Sequence, residues 1–501
     1  MSTSNSTNAT PAPGKGPGKL VAAKGSASDR KPRTRKRVEA KQLTDQREEY
    51  IYDEIGNGER LAVQCKDVLR YVPALKKWFV WWKEGVWSEQ HPDEVDRLAK
   101  RCARSILDDP HDGDHDLAKK IANWAKFSAS VRGRSSMTAT ASSDTRLVAQ
   151  VEEFDSNPWL LNVQNGTIDL QTGRLRPHEA GDLITKQIPV AYKPDAKFRA
   201  WEKFLAEKVP NEGLRDYLQR ALGYTLSGDV SEEKMFFIYG DTSSGKSTLL
   251  EAVQAVLGPY ATTSTFKMLL ENKNEGVIQP DLSRHVASRM VIAQEVKDDV
   301  AFDKASIKCM VSCNSMVAKR LYSDPFEFVP RWKLWVAANT RPRVDAGDSA
   351  MWRRIRVLPF TQSITEDQQN PKLRTLLASD ERAQQAILAW MVKGCLMWQG
   401  GRGLSEPPIV REASRSYREA NDSANDSFED FFESTYVFNP DGFVPTADIH
   451  QAYATYCLNG FVGSKLDRGE LLSKLRLKGL KDKQRGTKRV RGLRGITPRK
   501  A

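Results

Sequence analysis

Cysteine and histidine are both scarce in this chain of 501 residues, with six of each. The cysteines stand apart at 65, 102, 309, 313, 395 and 457. None forms C-x-x-C and no histidine pair has zinc-site spacing, which argues against a structural zinc and against a disulfide scaffold. Cys309 and Cys313 can share a helix face, but buried free thiols in a reducing, cytosolic protein are the expectation. Long apolar runs are missing too. No stretch approaches the ~20 residues of a membrane span, and Met1 to Asn5 begin no apolar signal segment. No membrane partner is expected.

Positive charge is plentiful and uneven. The net charge is +13. Residues 1–41 hold ten Lys or Arg against two acids, and residues 465–501 hold fourteen against three, so the long middle is mildly acidic. Basic ends on an acidic body point to a polyanionic partner, most simply nucleic acid, with solubility alone as the plainer alternative. The length suggests roughly two to four domains. Residues 1–44 are rich in Ser, Thr, Ala, Pro, Gly and Lys. They carry too little apolar surface to offset ordering entropy, which predicts a disordered basic tail.

Further along, Tyr71 to Trp87 is dense in aromatics and reads as a β-hairpin with Gly85 in its turn; core packing of a small domain is favoured over base stacking for its rings. A helix pattern follows at 92–107. The acid-rich run Asp108 to Asp116 is broken by Pro110 and Gly113, so a solvated loop is favoured over a metal site. Asn165-Gly166 predicts a hairpin turn between Leu160–Val163 and Thr167–Leu170. Helices are expected at 199–208, 213–225, 378–398 and 409–420, and an acidic hinge at 420–430. Two more helices are expected at 445–458 and 468–478.

One segment carries most of the chemistry. Gly240, Asp241, Thr242, Ser243, Ser244, Gly245, Lys246 and Ser247 spell G-x-x-x-x-G-K-S, after the apolar run Met235 to Tyr239 and before a helix pattern opening at Thr248. Strand, loop and helix in that order make a phosphate-binding loop. Its amides and helix N-terminus offer dipoles to an anion, Lys246 can reach the β/γ-phosphates of ATP, and the Ser247 hydroxyl can hold Mg²⁺. Two further apolar strands end in polar residues: Met290 to Glu295, and Leu334 to Asn339. Glu295 can polarise water or help hold Mg²⁺, and Asn339 can sense the γ-phosphate. Arg353 and Arg354 follow, either able to neutralise charge on a transferred phosphoryl group across a subunit interface.

That order of Lys, Glu, Asn and Arg resembles the superfamily 3 helicases, a viral, phage and plasmid branch of the AAA+ ATPases. The closer resemblance is to phage and plasmid helicase–primase proteins related to the poxvirus primase–helicase. Phe154-Asp155-Ser156 through Thr172-Gly173 is similar to their accessory-domain signature, Leu218 to Tyr224 to the helicase lead-in, and Trp352 to Phe360 to the arginine-finger segment. The resemblance implies a hexameric ring translocating 3′→5′ on single-stranded DNA in the host-cell cytoplasm, with ATP between subunits. It implies Arg354 as the finger, with Arg353 in reserve, and a DNA-touching hairpin carrying Lys308, Lys319, Arg320 and Tyr322. Gln294 stands beside Glu295 where a second acid is usual, and Ser312-Cys313-Asn314 replaces a Gly-Gly-Asp. The leading segment offers no primase carboxylates, so a separate primase or DNA polymerase is an expected partner.

The fold class expected is α/β. An AAA+ P-loop core over 199–365 would follow an α+β accessory domain at 46–198. A helical connector at 366–427 would lead to a winged-helix-like domain at 428–501, whose wing holds Lys488, Arg489 and Arg491 for duplex DNA. A DNA-binding replication initiator, or a packaging or remodelling motor, is the alternative.

Overall fold

The computed structural model describes residues 51–82, 85–89, 91–265, 269, 280–294, 302–312, 315–319, 325–344, 348–363, 365, 370–401, 403–459, 466–485 and 489–499. The chain divides into residues 1–49 and 50–501. The expected basic tail falls outside the described residues.

The second unit opens with α1 (Glu54–Cys65), capped by the Asp53 carboxylate, which accepts the Gly56 amide at 2.7 Å. β2 (Lys77–Trp82) and β3 (Val86–Ser88) form the hairpin expected from the aromatic run, and β1 (Leu69–Val72) adds a third antiparallel strand. α2 (Pro92–Ser105), α3 (His115–Ser128) and α4 (Val131–Ala141) follow, and Leu61, Leu69, Leu98, Cys102 and Met137 share a buried core with Val80. The acid-rich run is not simply a solvated loop. Asp109 accepts two bonds from the Arg60 guanidinium, at 2.7 and 2.6 Å, and Asp114 caps α3. Because the Arg60 side chain is only 6% exposed, Asp109→Ala should cost about 3 kcal/mol by stranding a buried charge from this partner. Urea unfolding followed by circular dichroism would measure that loss. A cost near zero would mean that water replaces the carboxylate.

β4 (Leu160–Val163), β5 (Gly166–Asp169) and β6 (Arg174–Arg176) form a second antiparallel sheet. Val163 pairs with Gly166, so the turn is Gln164-Asn165, one residue earlier than expected. Gly166 is needed for another reason: a Cβ there would lie 2.3 Å from the Arg176 carbonyl of β6. α5 (Arg199–Lys208) and α6 (Glu212–Leu226) lead into the main sheet.

That sheet is built from β7 (Met235–Tyr239), followed by α7 (Lys246–Leu257), then β8 (Ala261–Thr265) and β9 (Met290–Gln294). After β9 come α8 (Lys304–Val311) and a separate hairpin of β10 (Met316–Lys319) and β11 (Pro325–Phe328). β12 (Lys333–Ala338), α9 (Ser349–Trp352) and β13 (Ile355–Pro359) complete it. The order is β13-β7-β12-β9-β8, all parallel. Both faces are buried, as a parallel sheet requires. Phe236, Ile238 and Trp335 face one core with α5, α6 and α7, while Met235, Phe237 and Val336 face the other with α8 and α9.

α10 (Pro371–Ser379) and α11 (Glu381–Gly400) pack on the first face. α12 then runs unbroken over Pro408–Thr435. The hinge expected at 420–430 is therefore helical; Tyr417 anchors one part of the helix in the second core, and Phe428, Phe431 and Phe432 anchor the other in a third. This third core joins β14 (Tyr436–Pro445), α13 (Thr446–Asn459), α14 (Arg468–Leu477) and β16 (Val490–Pro498), and the exposed β15 (Lys481–Arg485) completes a sheet of order β14-β16-β15. Cys65, Cys102, Cys395 and Cys457 are buried free thiols; Cys309 is exposed, on the solvent side of α8. No helix among the described residues is long and apolar enough to cross a membrane.

Candidate functional site

Open parallel sheets bind ligands beyond the carboxyl ends of their strands. The loop 240–245 lies there, between β7 and α7. Its backbone has the shape of an anion cradle. Ser243 (φ 63°) and Gly245 (φ 94°) both take left-handed conformations, which turn successive amides inward. A Cβ on Gly240 would stand 2.0 Å from the Phe360 carbonyl, so only glycine lets the segment after β13 approach. Lys246, the first residue of α7, is 8% exposed and donates to the Gly240 and Asp241 carbonyls at 2.7 Å each and to Ser244 Oγ at 3.2 Å. Burial lowers its pKa, and the Asp241 carboxylate partly offsets this. Its ammonium is thus held over the cradle by three bonds that an anion's oxygens can exchange. Ser247, one step on, is exposed on the first turn, where its hydroxyl is open to a divalent cation.

Parallel register fixes the neighbours. Ala338 pairs with Tyr239, so Asn339, exposed at the end of β12, emerges beside Gly240. Glu295 follows β9 directly but lies outside the described residues. Arg353 and Arg354 are elsewhere. Ile355 pairs with Met235, at the amino end of β7, so both arginines sit at the opposite edge of the sheet from Lys246. Arg354 donates to Glu233 at 3.0 Å and to the Ala350 carbonyl at 2.9 Å, with a side chain only 9% exposed. Arg353 is 64% exposed and reaches Glu233 at 3.4 Å.

The other candidate cations divide. Lys308 on α8 is paired with Asp348 at 2.9 Å, and this bond holds the Asp348 carboxyl below its ordinary range. Lys319 closes β10, opposite Pro325. Arg320, Tyr322 and Lys488 lie outside the described residues. Arg489 and Arg491 are exposed, Arg491 on β16 in register with Gln484.

Two groups escaped the sequence reading. Lys208, in the last turn of α5, is 6% exposed and donates to the carbonyls of Ser243 and Gln362 at 3.1 Å, tying the cradle to the segment after β13. The segment after Asn339 is the other. Arg341 lies over the Tyr239 ring at 4.4 Å, and Arg343 pairs with Glu470 of α14 at 2.5 Å. Among the described residues no group of three or more His, Cys, Asp and Glu could hold a metal.

Residues 49–210 match the family model described as D5 N terminal like, and residues 238–354 match a family of unknown function, DUF5906. "Putative helicase L207/L206" of Acanthamoeba polyphaga mimivirus is 25% identical over 291 residues, 54% of this chain and 30% of that protein. "Putative helicase 022R" of Frog virus 3 is 26% identical over 44% of this chain and 24% of its own. "Putative primase C962R" of African swine fever virus is 21% identical over 54% and 31%. The chain is related to the viral primase–helicase family. The matches to these three relatives span about a third of their length or less. The apo structure of the NrS-1 C-terminal region aligns with 88% of this chain and 100% of its own at 9% identity, with a TM-score of 0.45, too low to bear on the fold. The glycine cradle lies within the DUF5906 match and the first sheet within the D5 match.

Proposed function

We propose that the chain is an ATP-dependent DNA helicase of the superfamily 3 branch of AAA+ proteins, working as a ring, with a hexamer as the expected state. The observation that carries this reading is the split across the main sheet. The cradle and Lys246 stand at one edge, and a conspicuous arginine pair stands at the other. Each is half of a hydrolysis site, and a head-to-tail ring brings the halves together. The cradle amides and Lys246 would hold the β/γ-phosphates, Asn339 would orient the attacking water, and Glu295 would draw its proton. Ser247, with Glu295, would hold Mg²⁺, whose charge offsets that of the phosphates when bound.

The exposed cations of the C-terminal unit, Arg489 and Arg491 on the β15–β16 hairpin beside α14, support a winged-helix contact with duplex DNA. The β10–β11 hairpin is the candidate contact with the single strand. A separate primase or polymerase is the expected partner, and the chain's own contribution is the motor.

The decisive experiment is strand displacement on a forked duplex with ATP, alongside the sedimentation of the protein with single-stranded DNA. A ring that displaces the strand only with hydrolysable nucleotide supports the reading. Hydrolysis without displacement would favour the remodelling or packaging motor, and duplex binding without displacement would favour the initiator.

A further inference from the structure

The geometry points to a base-binding site within the single-strand contact: the cleft between the first sheet and the β10–β11 hairpin seats one unpaired DNA base. This rests on the DNA-motor reading and adds a contact away from the nucleotide cradle. The cleft encloses about 690 Å³. Phe79 and Phe154 form one wall, with ring centroids 4.9 Å apart, and Phe326 and Phe328 of β11 form the other, at 6.0 Å. All four rings are partly exposed. Paired aromatic walls are stacking platforms for bases, and they tolerate any sequence because every base has a π-face.

The charge of the cleft favours a base over a phosphate. Lys186, Arg284 and Arg331 line it, against four acids. Of these, Glu89 is paired with Lys77 at 2.9 Å, and Asp155 accepts the Thr185 amide at 2.9 Å. Burial lowers the Lys186 pKa to about 8. Charges of both signs give no net grip on a polyanion, whereas rings flanked by polar groups suit an uncharged heterocycle. Ser283 and Ala287, also in the lining, precede β9, which puts the cleft at the amino edge of the sheet. A base seated here belongs to a strand passing the hairpin, not to the ATP at the opposite edge.

The test uses the full chain and a single-stranded oligonucleotide carrying 5-iodouracil. Photocrosslinks are expected in peptides containing Phe154 or Phe328. Phe328→Ala should weaken oligonucleotide binding about tenfold by anisotropy. Val329→Glu, at a position 50% exposed and therefore tolerant of charge, should do the same. ATP hydrolysis without DNA should not change in either. Binding as tight as the wild type's in both variants, or crosslinks confined to other peptides, would overturn the site alone. Loss of the crosslink to a free nucleoside monophosphate would reassign the cleft to that ligand. A wild type that binds no single strand would remove the DNA-motor reading and this site with it.

Discussion

Lys246→Ala is expected to lower ATP turnover by about 10²- to 10³-fold, the scale of losing one preorganised donor to a developing anion. The ammonium is already over the cradle, with Gly240, Asp241 and Ser244 each accepting one bond. Little reorganisation is left for the moment of reaction, so most of its interaction energy is available to the transition state. The loss should therefore appear in kcat more than in nucleotide affinity. Structure should survive. The carbonyls that Lys246 serves border the solvent-exposed Asp241 and Thr242, where water can take the place of the ammonium. Malachite-green phosphate release and nucleotide titration would separate the two effects, and DNA unwinding should fall in step. A variant that turns over ATP at the wild-type rate would take the loop out of the mechanism.

Lys246 was legible because its partners are local. A loop of eight residues after an apolar strand declares its own geometry. The strands β7, β9 and β12 were legible for the same reason, as short apolar runs ending in polar residues. Lys208 was not, because its role depends on α5 crossing beneath a loop some 35 residues later and on the Gln362 carbonyl 154 residues away. Nothing in the pattern around Lys208 distinguishes it from an ordinary basic residue at a helix C-terminus. The misread hinge has a similar cause. Residues 420–430 are polar by composition, but Tyr417 and Phe428 lie in different buried clusters, and the helix between them is held from both ends. Composition reports the middle, whereas packing decides the ends. Pairing across the sheet was also invisible: only the register Met235↔Ile355 reveals that the arginine pair stands far from the lysine.

That distance sets the second large effect. From Met235 to Tyr239 is four residue steps of β7, and one more at each end separates Arg354 from Gly240, about 20 Å at 3.3 Å per residue. No arginine side chain spans it, so any catalytic arginine from this pair must serve a neighbouring subunit. Exposure reverses the order expected from the sequence. Arg354 is fastened to Glu233 and the Ala350 carbonyl, whereas Arg353 projects with 64% of its side chain exposed. Arg353→Ala should leave nucleotide affinity within about twofold and cut hydrolysis about 10³-fold, the lower end of an arginine finger's contribution. Arg354→Ala should show itself first as lost thermal stability, because Glu233 loses its closer cation. Mixing decides the geometry. Arg353→Ala subunits keep Lys246, and Lys246→Ala subunits keep Arg353, so in a randomly assembled head-to-tail ring about a quarter of the interfaces would carry both. Hydrolysis should therefore reappear in the mixture, although neither variant has it alone. A mixture as dead as its components would refute the shared site, and a folded, inactive Arg354→Ala beside an active Arg353→Ala would return the finger to Arg354.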